Sequence, residues 1–184
     1  MKCAVQPKSK KIIISVAALC VFIGVIIWFG TRPAPEYVPP DDITAGPASG
    51  CNMASIKAED IVVATNTERV KAGLRTLTIS PLLTKAAQLK AQDSVSKHYW
   101  AHVSPAGVQP WYWIKLAGYN YQYAGENLAE GLYDSIGVTT AWMNSPEHKA
   151  NILNAHYTET GVAVTCGVTD KNTTLVVAEY GSSQ

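Results

Sequence analysis

The sequence has few charged residues, and its net charge is close to zero. Only 16% of its 184 residues are Asp, Glu, Lys or Arg, and the formal net charge at pH 7 is +1. Nucleic-acid-binding domains usually carry a basic surface, so this balance argues against that class of protein. With 47% hydrophobic residues, the chain is also too apolar for a disordered protein.

The sequence also lacks the short motifs of common hydrolases and metal sites. It contains no G-x-S-x-G and no H-E-x-x-H, and its four cysteines include no pair at zinc-ligand spacing. Four cysteines in a chain of this length are too few for a disulfide-dense scaffold. No internal repeat is present, and the length suits one ordinary domain.

One uncharged segment differs from the rest of the chain. Residues 12–29 contain no charge, and as a helix they would span roughly 27 Å, close to the thickness of a bilayer core. Four lysines precede the segment and one arginine follows it closely, so the positive-inside rule predicts a cytoplasmic N-terminus. We therefore predict a short cytoplasmic tail over 1–11 and a transmembrane signal-anchor helix over 12–30. The alternative is secretion after signal cleavage, but bulky Trp28 and Phe29 occupy the place where a cleavage site needs small residues.

A proline-rich stretch separates this segment from the rest of the chain. Five of the ten prolines fall within 31–50, which predicts a semi-extended linker. Residues 51–184 carry ten basic and eleven acidic side chains, and they are numerous enough for one extracytoplasmic domain with its own core. Outside the membrane Cys51 and Cys166 would meet an oxidising compartment and could pair, but sequence spacing does not decide whether they approach each other.

The pattern of the folded part predicts helices first and a β-hairpin last. Apolar spacing, capping residues and prolines predict helices over 58–72, 81–97, 110–116, 135–143 and 146–153. Segments rich in Val and Thr predict two strands, over 160–168 and 173–180, with Asp-Lys-Asn between them. This order indicates an α+β fold rather than a doubly wound parallel sheet.

All four histidines lie within residues 98–156. His98 comes at the end of a predicted helix, where packing explains it, whereas His102 lies where the chain leaves that helix. Glu126 lies between a glycine and an asparagine, an unusual context for a carboxylate in a merely solvated loop, and His148 lies on the last predicted helix. Two imidazoles and a carboxylate could hold a divalent ion such as Zn²⁺ with an open position. They could equally form a hydrogen-bonded polar cluster that binds no metal.

A catalytic site would need a nucleophile or a metal-bound water beside a base. Ser104 and Ser145 are close in sequence to His102 and His148, but turn and helix-cap roles explain both serines. We therefore favour a binding role over an enzymatic one. A metal-dependent hydrolase acting on peptide or glycan is the alternative.

The aromatic residues are concentrated in one region. Half of the sixteen aromatics lie within residues 99–123. Packing in a small domain explains most of them, but the rings of Trp111, Tyr112 and Trp113 cannot all be buried on one helix face. An exposed aromatic shelf for glycan or lipid beside the polar residues is the functional interpretation.

Four blocks of sequence, in this order, resemble the CAP superfamily of cysteine-rich secretory, antigen 5 and pathogenesis-related proteins, most closely its bacterial SCP-like branch. They are His-Val-Ser-Pro at 102–105, Gly-Glu-Asn at 125–127, W-x-x-S-P-x-H-x-x-N-I-L at 142–153 and Tyr-Thr-Glu-Thr-Gly-Val at 157–162. Each block is weak alone, but their order and spacing are specific. The resemblance covers about residues 57–181.

The resemblance implies a three-layer α-β-α sandwich with a cleft lined by His102, Glu126 and His148. Animal and plant members of the superfamily carry a second glutamate where this chain has Ser145. A fourth cleft residue is therefore left open, with Glu147 and His156 as weaker candidates. The implied function is an interaction module outside the membrane, with a divalent metal, a lipid or a cell-wall glycan as its ligand.

Overall fold

The structure is a computed structural model, and it describes residue 51, residues 53–168 and residues 173–184. The predicted cytoplasmic tail, transmembrane segment and linker all lie outside the described residues, so these three assignments stay predictions. Among the described helices, none combines the length and the hydropathy that a membrane span requires.

Five α-helices and four β-strands are present in the described part of the chain. The helices are α1 (Ala58–Lys71), α2 (Pro81–Ser96), α3 (Trp111–Leu116), α4 (Ser135–Asn144) and α5 (Pro146–Ile152). The strands are β1 (Thr78–Ile79), β2 (Tyr121–Glu130), β3 (Glu159–Cys166) and β4 (Thr174–Ser183). A 3₁₀ turn at Met53–Ser55 precedes them.

The five predicted helices are confirmed to within about two residues at each end. Pro81 is the first residue of α2, where a missing N–H costs nothing. Asp134 Oδ1 accepts a hydrogen bond of 2.7 Å from the Gly137 N–H and so caps α4. After α1 the chain turns through Gly73 at a φ of +74°, a conformation that favours glycine.

The sheet has the order β1-β3-β4-β2. Strands β3 and β4 pair antiparallel, which confirms the predicted hairpin, and β2 pairs antiparallel with β4 at the edge. Short β1 runs parallel to β3 at the other edge. Glu126 lies within β2, a strand that the sequence pattern did not predict. Gly, Glu and Asn are disfavoured in strands, and here the long pairing with β4 overrides that local preference.

Helices cover both faces of the sheet, because alternate side chains of β4 pack against different helices. Val176, Ala178 and Tyr180 join a core cluster with residues of α1, α4 and α5. Leu175 and Val177 point the other way and join a cluster with residues of α2. Since successive side chains of a strand face opposite sides, the domain has three layers, and the three-layer expectation is confirmed for the described residues.

One disulfide is present in the described part of the chain. Cys51 and Cys166 are bonded with their Cα atoms 6.1 Å apart, so the start of the domain is joined to the end of β3. The pairing that the sequence left open is therefore present.

Candidate functional site

His102 and Glu126 form a direct pair. His102 Nδ1 lies 2.6 Å from Glu126 Oε1, and the glutamate side chain is 1% exposed while the histidine side chain is 52% exposed. Since a carboxylate accepts hydrogen bonds, this contact places a proton on Nδ1. The buried carboxylate thus holds a half-exposed ring whose other nitrogen, Nε2, remains available to a ligand.

The pair favours a charged imidazole. The hydrogen bond that His102 donates to Glu126 is the largest influence on the His102 pKa and raises it, against the opposing effect of burial. A hydrogen-bonded carboxylate stabilises the protonated ring more than the neutral ring. His102 is therefore protonated over a wider pH range than a free histidine.

His148 lies on α5 and interacts with His102 through its charge. Burial is the largest influence on the His148 pKa and lowers it, and the charge of His102 lowers it further. The carboxylate of Glu147 acts in the raising direction on both histidines. The structure thus joins two of the three predicted cleft residues directly and places the third, together with the weaker candidate Glu147, within electrostatic range.

The ring of His148 has its own partner. Its Nδ1 lies 2.9 Å from Ser145 Oγ. Ser145 is the N-cap residue of α5, but its side chain makes no capping hydrogen bond to the helix. The expected cap role of the Ser145 hydroxyl is therefore wrong, and that hydroxyl contacts the histidine one turn later.

The three predicted cleft residues lie around β2, at the edge of the sheet. Glu126 shares the α2 face with Leu128, which packs with residues of α2, because residues two apart in a strand point the same way. Helix α5 approaches β2 from the opposite face. Because β2 is an edge strand, no further strand separates the two sets of side chains.

Two asparagines connect α5 to β2 through hydrogen bonds. Asn127 Nδ2 donates to the carbonyl of His148 at 3.1 Å. Asn151 Nδ2 donates to the side-chain oxygen of Asn127 at 2.9 Å and to the carbonyl of Glu126 at 3.1 Å. Sequence reasoning quoted both asparagines within motifs but gave them no role. Their signal in the sequence was one asparagine next to Glu126 and another three residues after His148.

Gly125 lets Tyr157 approach β2. Tyr157 Oη donates to the carbonyl of Ala124 at 3.0 Å. A Cβ at position 125 would overlap that hydroxyl and lie 2.8 Å from Asn151 Oδ1, so only glycine leaves the required space. Each residue of the Gly-Glu-Asn block thus has a defined contact.

A second buried glutamate faces Glu126 and was missed by the sequence analysis. Glu179 on β4 is directly opposite Glu126 in the strand register and is fully buried. Glu126 Oε2 and both oxygens of Glu179 have no hydrogen-bond partner among the described residues. Burial first, and the charge of Glu126 second, raise the pKa of Glu179 well above its ordinary value. We infer that Glu179 holds the proton of this pair.

The remaining candidates lie in other surroundings. His156 stacks on Tyr123 with ring centroids 4.3 Å apart, and its backbone N–H bonds Asn154. Ser104 is buried, and its hydroxyl accepts from the N–H of Val108 at 3.1 Å, which confirms the expected turn role.

The aromatic region is divided between core and surface. Trp113, Tyr99 and Tyr119 are buried. Trp100 is 49% exposed and Trp111 is 38% exposed. The prediction that at least one ring of the 111–113 run reaches the surface is confirmed, and Trp100 is exposed two residues before His102.

The described residues contain no group of three or more His, Cys, Asp or Glu side chains arranged to hold a metal ion. His102 and His148 each use Nδ1 for a protein contact, so an ion would have to bond their Nε2 atoms. Glu126 would then not bond the ion itself. It would accept the hydrogen bond from His102 Nδ1 and so orient the ring, a role that carboxylates commonly have beside metal-bound histidines. The divalent-metal assignment to His102, Glu126 and His148 stays a prediction.

A groove lies elsewhere, between α1 and α4. This groove has a volume of about 680 Å³. Val63 and Ala64 of α1 and Ile136 and Met143 of α4 contribute apolar surface to it. None of the predicted cleft residues lines the groove.

Comparison with known proteins gives a consistent result. The profile of the CAP family, described as the cysteine-rich secretory protein family, matches residues 62–180. The uncharacterized protein YkwD of Bacillus subtilis is 41% identical over 119 residues, which are 65% of this chain and 45% of that protein. The chain therefore spans less than half the length of this curated relative.

Solved structures share the fold. An outer surface protein of Borrelia burgdorferi superposes with a TM-score of 0.62 at 25% identity, over 68% of this chain and 94% of that one. An extracellular protein of Bacillus anthracis that contains an SCP domain gives a TM-score of 0.60 at 26% identity, over 68% and 40%.

Proposed function

Because the chain belongs to the CAP family of cysteine-rich secretory proteins, we propose that its domain is an extracytoplasmic binding module whose ligand contacts the His102–Glu126 pair. The observation that carries this proposal is the 2.6 Å contact between a buried carboxylate and a half-exposed imidazole. Such a ring is held in place before any ligand arrives, so binding costs little side-chain entropy.

Cell-wall glycan is the ligand class that the surroundings favour. Glycans offer many hydroxyl groups to a fixed imidazole, and their apolar ring faces pack on aromatic side chains. Trp100 and Trp111 are exposed, and Trp100 is close to His102 along the chain. The family relatives described as outer-surface and extracellular proteins support a location where such a ligand is present.

The predicted anchor would hold this domain at the cell membrane. Residues 12–30 would span the bilayer with the N-terminus in the cytoplasm, and the proline-rich residues 31–50 would keep the domain at a distance from it. Protease treatment of intact cells should remove the domain, and the untreated protein should run at the mass of the full chain. A shorter protein in the medium would instead support signal cleavage.

Sedimentation with purified peptidoglycan sacculi tests the glycan proposal. We expect the double variant His102→Gln, His148→Gln to bind about tenfold more weakly for each hydrogen bond lost. Trp100→Ala should also weaken binding, whereas His98→Asn, a histidine change at a helix end, should leave it unchanged. Equal binding by the wild type and the double variant would contradict the proposal.

A metal-dependent hydrolase remains the alternative function. It predicts release of soluble fragments from labelled peptidoglycan or casein with added Zn²⁺, and loss of that release on chelation. Metal analysis of the purified protein, compared with that of the His102 and His148 double variant, tests the ion separately. Undiminished divalent-metal binding by this variant would reject the assignment to the two imidazoles.

The groove between α1 and α4 favours a second candidate ligand, an acyl chain. Val63 and Ile136 are exposed apolar residues on its walls, and burial of each methylene of a bound chain contributes about 0.8 kcal/mol. Binding of a fluorescent fatty acid should fall in the variant Val63→Ser, Ile136→Ser and persist in the double histidine variant. The opposite pattern would assign the lipid to the cleft.

A further inference from the structure

Lys90 is buried on α2 and bonds the segment that carries His102. Its Nζ donates to Tyr99 Oη at 3.2 Å, to the carbonyl of Ala101 at 2.7 Å and to the carbonyl of His102 at 2.9 Å. These contacts use all three protons of an ammonium group. Residues 97–103 form neither helix nor strand, so this one side chain supplies a large share of their fixed hydrogen bonding.

The same ammonium group also lies within electrostatic range of the glutamate pair. Glu126 and Glu179 are buried and directly opposite each other on the face that α2 covers. Like charges at such positions are unfavourable, and buried charges without a partner are costly. Burial lowers the pKa of Lys90, and the charges of Glu126 and Glu179 oppose that effect.

The third carboxylate near Lys90 has partners of its own. Asp93 Oδ1 lies 2.5 Å from Lys97 Nζ, and Asp93 Oδ2 accepts from Tyr99 Oη at 2.7 Å. Because Lys97 balances Asp93, the charge of Lys90 is left for the two glutamates.

We propose that Lys90 is a positioning residue of the cleft, which fixes the backbone at His102 and balances the charge of the Glu126–Glu179 pair. His102 is then held twice, through its carbonyl by Lys90 and through its ring by Glu126. The functional meaning of this arrangement rests on the proposed binding role of the pair. The arrangement itself is tested without a ligand, so its failure and the failure of the binding proposal are distinguishable.

Nuclear magnetic resonance of the full chain provides the first test. In the wild type, the Nδ1–H proton of His102 should exchange slowly with water and give a separate signal. In Lys90→Met we expect that signal to be lost while the backbone spectrum outside residues 97–103 is retained. Lys85→Met, a change of an exposed lysine on the same helix, should leave the signal intact. A folded Lys90→Met protein with an unchanged His102 signal would overturn the positioning role.

The charge role is tested by a second substitution. Lys90→Met should lower the urea midpoint of unfolding, and adding Glu126→Gln should recover part of that loss, because Glu126 is the member of the pair that carries the charge. The His102 signal should stay absent in this double variant, since its carbonyl contact with Lys90 is still missing. No recovery of the midpoint on adding Glu126→Gln would overturn the charge role.

The wild-type protein keeps the proposal testable if neither variant folds. The ammonium protons of Lys90 should exchange with water at least tenfold more slowly than those of Lys85. Equal exchange rates at the two lysines would mean that Lys90 does not hold the contacts described, and the proposal would fail.

Discussion

At the residue scale, Glu126 lies between two other titratable groups. One of its oxygens contacts His102, and its strand position faces Glu179. Its charge raises the pKa of both neighbours, since a carboxylate stabilises a proton on any group beside it. The two histidines therefore lose their charge at different pH values, because the pKa of His148 is lowered while that of His102 is raised.

This difference predicts the order in which the histidines titrate. The Cε1–H signal of His102 should titrate above pH 6.5 and that of His148 below it. In Glu126→Gln the His102 pKa should fall, because the largest raising influence is lost. Glu147→Gln, a change of an exposed carboxylate, should shift both histidines downward by less. A His102 titration that is unaffected by Glu126→Gln would contradict the pair.

Glu179 predicts a pH dependence of stability. Its pKa is raised in the folded protein above the ordinary value of 4.5, so the folded state binds a proton that the unfolded state releases. The stability that this bound proton contributes is fully present below pH 4.5, and it is lost as pH rises through the pKa of Glu179 in the folded protein. The free energy of unfolding of the wild type should therefore fall, relative to that of Glu179→Gln, as pH rises above 4.5. Urea unfolding at several pH values measures this difference, and parallel curves would show that Glu179 is ionised when folded.

The sequence could predict His102 and Glu126 but not Lys90 or Glu179. The first two stand in motifs of unusual residue types, and a resemblance places them together. Lys90 is an ordinary helix residue in sequence, and Glu179 follows a run of Val and Ala in a strand. Only the packing of α2 on the β2–β4 pair makes both of them part of the site.

At the element scale, two glycines allow close contact between elements. A Cβ on Gly161 of β3 would overlap backbone atoms of Leu83 and Thr84 in α2. A Cβ on Gly125 of β2 would overlap the side chain of Tyr157 instead. Backbone atoms of a packed helix move less readily than the end of a side chain, so the two sites differ in tolerance.

We therefore predict unequal costs for the two alanine substitutions. Gly125→Ala should lower the free energy of unfolding by about 1–3 kcal/mol, and Gly161→Ala by about 3 kcal/mol or more. Adding Tyr157→Phe should recover stability in Gly125→Ala, because the overlapping hydroxyl is removed. The same addition should give no recovery in Gly161→Ala. Chemical unfolding of the four variants decides this, and equal responses to Tyr157→Phe would refute it.

The helices were easier to predict than strand β2 for a physical reason. Prolines, capping residues and glycine stops are local signals, and α2 and α4 begin where these signals occur. Strand β2 contains Gly125, Glu126 and Asn127, which are poor strand formers. The backbone of β2 forms hydrogen bonds along its whole length with β4. Side chains of three later residues also donate hydrogen bonds to its carbonyl groups. Those donors are Tyr157 to the carbonyl of Ala124, Asn151 to that of Glu126, and Trp142 to that of Leu128.

At the scale of the whole domain, one covalent bond joins distant parts of the chain. Cys51 and Cys166 are 115 residues apart in sequence, and the loop that they close contains all five described helices. In the chain-entropy account, a longer closed loop restricts the unfolded state more. The sequence left this pairing open because spacing alone does not give the distance between two Cα atoms.

The disulfide should therefore contribute strongly to stability. We predict that Cys51→Ala, Cys166→Ala lowers the free energy of unfolding by about 2–5 kcal/mol. Reduction of the wild type should produce the same loss, whereas the double variant should not respond to the reductant. The cleft should keep its geometry in the folded double variant, because His102 and Glu126 are held by α2 and β2 rather than by the ends of the closed loop. If the double variant and the oxidised wild type have the same free energy of unfolding in urea, then the packing of helices and sheet accounts for the stability and the disulfide contributes little to it.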